Sequence, residues 1–275
     1  MGWIVISAVA FGAMAILARF AYAAGADVHG LLLMRFAIAG AILAVVMALR
    51  RTPWPRGRAL AAAALMGGIG YVGQAFCYFA ALNHASAGLV ALLLYVYPTL
   101  VCLLSAAFLG EHITTSRALL LAASFAGVAL TLGGGHGNGL GVALGITAAV
   151  FYAVYIVVGA RELAQVDALA ATTVVCLAAA LVVAAAIPFH APRFPEGAVG
   201  WAATGAIGLA CTVLAILAFF AGLKRVGPSR AAIVSTLEPV VTVLLAWIVL
   251  GEMLSFVQLA GGALVLASAA RLSAR

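Results

Sequence analysis

Glu238 is the only acidic residue set deep within one of the long apolar runs of this 275-residue sequence, and it directly precedes Pro239. A carboxylate is expensive to hold in hydrocarbon, so an ionisable residue in such a run is a functional candidate by default. Three roles fit it: a proton carrier, a partner for a ligand ammonium group, or a neutral or hydrated acid satisfying backbone beside the proline. Tyr71, Gln74 and Tyr78 fall at i, i+3 and i+7, which is one face of a helix. Ring faces with one amide suit an amphiphilic ligand, which stacks on the rings and is oriented by the hydrogen bond. Tyr95 and Tyr97 join the candidates, although an i, i+2 pair cannot share one narrow helical face. Tyr152 and Tyr155 lie three apart in a later run. Each tyrosine alone also fits plain packing, and it is their clustering that points to a ligand. The binding candidates are Gln74, Tyr78, Tyr95, Tyr97, Tyr155 and Glu238.

Pro98 and Pro239 are candidate hinges. Proline lacks an N–H and clashes with the carbonyl four residues earlier, which leaves the carbonyls of Leu94 and Ser235 without a helical partner. In lipid such groups must be satisfied by protein or by a wet cavity. Arg19 and Arg35 lie toward the same ends of the first two runs, near Asp27. They read as snorkelling cations or partners of that acid, with attraction of a ligand carboxylate as the other reading. Cys77, Cys102, Cys176 and Cys211 lie in apolar runs without metal-ligand or disulfide spacing, so they read as packing residues. His84, His112 and His190 fall in or beside loops and read as solvated. No HExxH, GxSxG or GxxxxGK[ST] occurs. The sequence therefore predicts no enzyme, no metal, no resident cofactor and no ATP-driven step.

The elements that must position these residues follow from composition. Hydrophobic residues make up 67% of the chain and charged ones 8%, with a mean hydropathy of +1.26. A soluble domain carries roughly 25% charged residues. So few charges cannot coat a globule, and the chain reads as an all-α integral membrane protein. Runs of about 20 apolar residues are each long enough to span a bilayer. They fall near 3–23, 30–49, 59–82, 86–109, 116–133, 140–159, 168–188, 199–222, 230–250 and 256–272. The net charge of +7 gives no nucleic-acid reading, because its cations are sorted by loop. Arg50, Arg51, Arg56, Arg58, Arg117, Arg161, Lys224, Arg225, Arg230, Arg271 and Arg275 fall on one side of the ten runs, and Arg193 alone on the other. Basic residues stay cytoplasmic, so both termini are expected inside. Trp3 and Trp247, at run ends, read as interface anchors.

The chain also repeats itself. Phe79-Ala80-Ala81-Leu82 returns as Phe220-Ala221-Gly222-Leu223, Pro98 as Pro239, and Leu109-Gly110-Glu111 as Leu250-Gly251-Glu252. Phe11 matches Phe151 and Asp27 matches Asp167. A glycine-rich joint lies at the middle of the chain, dividing it into residues 1–136 and 137–275. Each half holds five spans, and an odd number makes the second half enter from the opposite side. The expected architecture is ten transmembrane helices as two inverted five-helix repeats, a plan recurrent in secondary transporters, with the ligand between the halves.

These features resemble the EamA-type branch of the drug/metabolite transporter superfamily. In that family each half carries a helix with a mid-membrane proline and closes it with a Leu-Gly-Glu-like signature. Here these are Pro98 with Leu109-Gly110-Glu111, and Glu238-Pro239 with Leu250-Gly251-Glu252. Arg35, in Met34-Arg35-Phe36, matches an arginine the family places early in its second helix. Ala10-Phe11-Gly12 stands where Trp-Gly is common. The tyrosine-rich middle is most similar to the YddG-like aromatic amino-acid exporters of that family. The resemblance implies a secondary carrier exporting small amphiphilic solutes, amino acids including aromatic ones. Its partners would be the solute, the bilayer and, for a coupled carrier, protons. A carrier of another metabolite or drug, or a passive channel, is the alternative. The brief loops and alanine-rich spans suit a bacterial inner membrane.

Overall fold

The computed structural model describes residues 1–109, 113–132, 138–226 and 234–273, and every regular element among them is helical. In chain order the helices are α1 (Gly2–Ala23), α2 (Val28–Leu49), α3 (Gly57–Ala81), α4 (Ala87–Phe108), α5 (Thr115–Thr131), α6 (Gly139–Glu162), α7 (Ala168–Ala185), α8 (Gly197–Phe219), α9 (Leu237–Leu250) and α10 (Phe256–Leu272). Among the described residues seven of these, α1–α4 and α6–α8, are long and apolar enough to cross a membrane, and α5, α9 and α10 are shorter apolar helices. The exterior carries Leu65, Ile69, Leu119, Leu181, Val199 and Ile248, each more than half exposed. A belt of that kind has lipid, not water, as its solvent. Trp3 and Trp247 are both exposed. The chain is a multi-pass membrane protein.

Packing is paired in a regular way. α2 lies against α7 and α5 against α10; α3 packs on α6, and α8 packs on α1. Asp27 caps α2, its Oδ1 accepting from the Gly30 N–H at 2.7 Å, and Asp167 caps α7, accepting from the Leu169 and Ala170 N–H groups. An aspartate at the N-cap satisfies backbone donors that would otherwise be orphaned, so these two side chains fix where each helix starts.

Several helices are interrupted where the sequence suggests continuous runs. α1 breaks at Ala13, and α4 is two helices, Ala87–Leu94 and Tyr97–Leu109, joined at Tyr95-Val96. Thr236 forms a turn immediately before α9. The α4 and α9 interruptions stand just before Pro98 and Pro239, which is where a missing N–H and a displaced carbonyl end regular bonding. α3 and α8 each contain a π-helical turn, at Met66–Tyr71 and Leu209–Leu214. α1 crosses α9 closely at Gly12: a Cβ there would lie 2.7 Å from the Glu238 carbonyl oxygen, and Thr242 Oγ1 donates to the Gly12 carbonyl at 2.8 Å.

One end of the bundle is stitched together. Gly251 takes a left-handed φ of 66° that ends α9 and turns Glu252 back over the bundle. The two Glu252 oxygens then accept from Arg19 of α1 at 2.8 Å and from the Ala87 N–H at the start of α4 at 2.7 Å. Tyr22 donates to the Phe79 carbonyl, the Glu196 N–H to the Ala24 carbonyl, and the Asp27 N–H to the Arg193 carbonyl. This corrects the pairing of Arg19 and Arg35 with Asp27. Asp27 instead lies 3.1 Å from His190 Nε2 and 3.8 Å from Arg193 Nε, both from the α7–α8 connection, so His190 is not simply solvated. Nearness in sequence misleads here because Asp27 spends one oxygen on its own cap and turns the other outward. Glu111 and His112 lie outside the described residues.

Candidate functional site

A cavity of about 380 Å³ is lined by residues of α1–α4 and α6–α8 together with Ser235 and Glu238. Gln74, Tyr78, Tyr95, Tyr97, Tyr155 and Glu238 all line it, as do Tyr71, Tyr152 and Arg35. Pro98 and Pro239 are not in its wall; they flank it through the interruptions they impose.

The break in α4 explains how Tyr95 and Tyr97 both reach the cavity. In a continuous helix they would diverge, but Tyr95 sits in the turn and Tyr97 opens the next helix, with ring centroids 5.6 Å apart and edge-on. The aromatic wall continues from Tyr97 to Tyr152 at 4.6 Å, to Tyr155 at 6.2 Å and on to Tyr71 at 5.9 Å. Edge-to-face and tilted contacts at such spacings are the favoured aromatic geometries.

Tyr95 also resolves the backbone problem created by Pro239. Its hydroxyl lies 2.6 Å from the Ser235 carbonyl, the one Pro239 deprives of a helical partner, and 3.1 Å from Glu238 Oε2. A phenol has one hydrogen to give. At the shorter contact that hydrogen goes to Ser235, and the Glu238 carboxyl lies beside the same hydroxyl as an alternative acceptor. The hinge, the tyrosine and the acid are therefore one hydrogen-bonded unit joining α4 to α9.

Arg35 is the residue that the sequence placed wrongly. It is buried, 3% exposed, and belongs to the cavity wall rather than to the helix end. Its Nε donates to Thr212 Oγ1 at 3.1 Å and its Nη2 to the Tyr71 hydroxyl at 2.7 Å. Both partners come from the π-helical turns of α8 and α3, and such turns recur at functional sites because they shift side-chain register. Thr212 in turn donates to the Ile207 carbonyl at 2.9 Å. The rings of Phe36, Tyr71 and Phe79 lie 5.3–5.4 Å from the guanidinium carbon. The run Met66-Gly67-Gly68-Ile69-Gly70-Tyr71 was the available signal for the α3 turn; nothing in Leu209–Leu214 marks the other. Among the described residues no three His, Cys, Asp or Glu side chains gather as a metal site would require.

An acid, a guanidinium and aromatic rings lining one cavity can hold a small solute with a polar head and an apolar body. Known proteins agree with a transport role. The EamA-like transporter family profile matches residues 1–133 and again residues 139–274. An uncharacterized transporter of Bacillus subtilis, YcbK, is 26% identical over 279 residues, covering 94% of this chain and 88% of that protein. An uncharacterized transporter of Archaeoglobus fulgidus is 30% identical over 190 residues, 69% of this chain and 68% of its own length. A probable terminal-alkyne amino-acid exporter of Streptantibioticus cattleyicolor is 28% identical over 250 residues, 88% of this chain and 83% of its own. A protein of known crystal structure superposes with a TM-score of 0.67 at 26% identity, covering 98% of this chain and 95% of that one. With the profile spanning nearly the whole sequence, the chain belongs to the EamA-like transporter family.

Proposed function

We propose that the protein is a secondary carrier exporting small amphiphilic solutes, foremost amino acids including aromatic ones, from a bacterial cytoplasm across the inner membrane. The observation that carries this reading is the cavity itself, whose wall, drawn from α1–α4 and α6–α9, combines Glu238, Arg35 and a run of tyrosines. Its volume falls within the range of small-molecule pockets. The amino-acid exporter among the relatives supports the substrate class.

Transport proceeds by alternating access between residues 1–136 and 137–275, arranged as inverted five-helix halves with both termini inside. Features that recur in the two halves support this: the caps Asp27 and Asp167, the π-helical turns of α3 and α8, and the interruptions before Pro98 and Pro239. The pairing of α3 with α6 and of α8 with α1 is what exchange of the halves would produce. Glu238 is the coupling group. Its carboxyl binds Tyr95 when it carries a proton, and a solute ammonium takes that proton's place when it does not. Exclusive occupancy by one cation or the other links outward solute movement to inward proton movement.

The test is counterflow in proteoliposomes. Vesicles preloaded with phenylalanine should transiently accumulate labelled phenylalanine, and an imposed proton gradient should drive net movement. Flux without counterflow would make the protein a channel. Counterflow insensitive to the gradient would remove the coupling role of Glu238.

A further inference from the structure

Arg35 and Glu238 face one cavity, but they do not pair with each other. Among the described residues Arg35 has no carboxylate partner; its bonds go to the neutral hydroxyls of Thr212 and Tyr71. A guanidinium stays charged under any condition the cell offers, so it cannot escape burial by losing a proton. A buried cation without an anion is unfavourable, and intramembrane charges are ordinarily paired. The guanidinium is nonetheless held firmly, between two hydroxyls and three rings, with further N–H donors left over. The Tyr71 hydroxyl accepts from Arg35 and keeps its own hydrogen to donate. A rigid planar fork beside an O–H donor is the arrangement that matches a carboxylate.

We propose that Arg35, with Tyr71 beside it, is the carboxylate-binding subsite of the cavity, and that the protein selects solutes with a free carboxylate over amphiphilic amines. The inference rests on the carrier reading above and narrows its substrate class. Arg35, Tyr71, Tyr78, Tyr95 and Glu238 all line the one cavity. In the proposed complex a zwitterion presents its carboxylate to Arg35 and its ammonium to Glu238 and Tyr95, with its side chain on the tyrosine wall. An amine without a carboxylate would bring a second positive charge to a buried cation that stays uncompensated. Arg35 thus acts against such amines as much as for amino acids.

The test is inhibition of phenylalanine counterflow, and direct binding to the purified protein, by phenylalanine, phenylalaninamide, phenylethylamine and 3-phenylpropionate. A charge-assisted hydrogen-bonding site should favour phenylalanine over its amide by at least about tenfold. Arg35→Gln should bring that ratio close to one. Arg35→Lys, which keeps the charge but not the fork, should give an intermediate ratio, and it carries the test if the glutamine variant does not fold. Phenylalanine and its amide binding equally to the unaltered protein would overturn the Arg35 assignment and leave the carrier reading standing. So would a ratio unchanged in Arg35→Gln. Binding of 3-phenylpropionate but not phenylalanine would keep Arg35 as a carboxylate site and remove the amino-acid reading. Binding of none of the four would overturn both.

Discussion

The charges at the stitched end of the bundle and those in the cavity are treated in opposite ways. At the end, Arg19 meets Glu252 at 2.8 Å, and Asp27 meets His190 and Arg193. Each carboxylate there also caps a helix, Glu252 at Ala87 and Asp27 at Gly30. In the cavity, Arg35 is buried and Glu238 partly so, yet each rests on neutral hydroxyls. Pairing where it is cheap and isolation where it is dear is the reverse of what stability alone would select. The first set holds helix ends together; in the proposed carrier the second meets charges that arrive with a solute.

The largest effect should come from the cavity acid. Glu238→Gln removes a charge-assisted contact worth about 1.5–3 kcal/mol, so proton-driven flux should fall at least about tenfold. Labelled flux with and without a pH gradient separates the two parts of its role. Exchange that survives without the gradient leaves proton carriage alone, and exchange that also falls adds the ammonium. Unchanged flux under both conditions would return Glu238 to a purely structural role beside Pro239, and the contrast drawn above would fail.

A smaller loss is expected from the aromatic wall. Tyr78→Ala should weaken aromatic amino-acid binding by about 0.5–1.5 kcal/mol beyond its buried area, and affect small aliphatic substrates less. Tyr78→Phe should be the milder change if stacking dominates. Transport kinetics for phenylalanine against alanine read the difference. Equal losses for both substrates would mean that Tyr78 only shapes the cavity.

At the stitched end the expected changes are in stability rather than flux. Burial works to raise the Asp27 carboxyl, but the Gly30 N–H, His190 and Arg193 together hold it below the usual carboxylate range. A depressed folded value contributes stability that is present above the unfolded pKa of about 3.9 and lost as pH falls through the folded one. Melting temperature should therefore drop below about pH 4, and drop less in Asp27→Asn. Asp27→Ala should lose about 1 kcal/mol at neutral pH with the cap, whereas Asn, itself a good cap, should lose less. Smallest of all, Arg19→Gln should loosen the latch by no more than about 1 kcal/mol, the usual limit for a partly exposed pair. It should appear as faster labelling of a cysteine placed at Tyr22, with phenylalanine affinity unchanged. Altered affinity without altered labelling would put Arg19 in the binding machinery and blur the two regions.

How far the sequence could be read depended on the range of the information. Apolar runs are local, and the seven helices long and apolar enough to cross a membrane fall within a few residues of the runs that predict them. The six binding candidates share one cavity because tyrosine, glutamine and glutamate are unusual in such runs wherever they occur. Geometry that depends on distant residues was not legible. Tyr95 and Tyr97 share a wall only because Pro98 breaks α4. Arg35 was read as a snorkelling cation from its nearness to Asp27, but α2 begins at Val28, which puts Arg35 nearly two turns below the helix start, about 10 Å at 1.5 Å per residue. Of its two partners, Tyr71 and Thr212, the second lies in a π-helical turn 177 residues away, and no local pattern could have announced it.

The most direct test of the central claim, that the cavity charges are kept for a solute at the expense of the empty protein, is the melting temperature of Arg35→Met with and without saturating phenylalanine. Removing an unpaired buried charge in favour of an apolar side chain of similar length should stabilise the empty protein. The same change should erase the upward shift that phenylalanine gives the unaltered chain. A lower melting temperature with the phenylalanine shift intact would show Arg35 to be a structural cation, and would contradict the account.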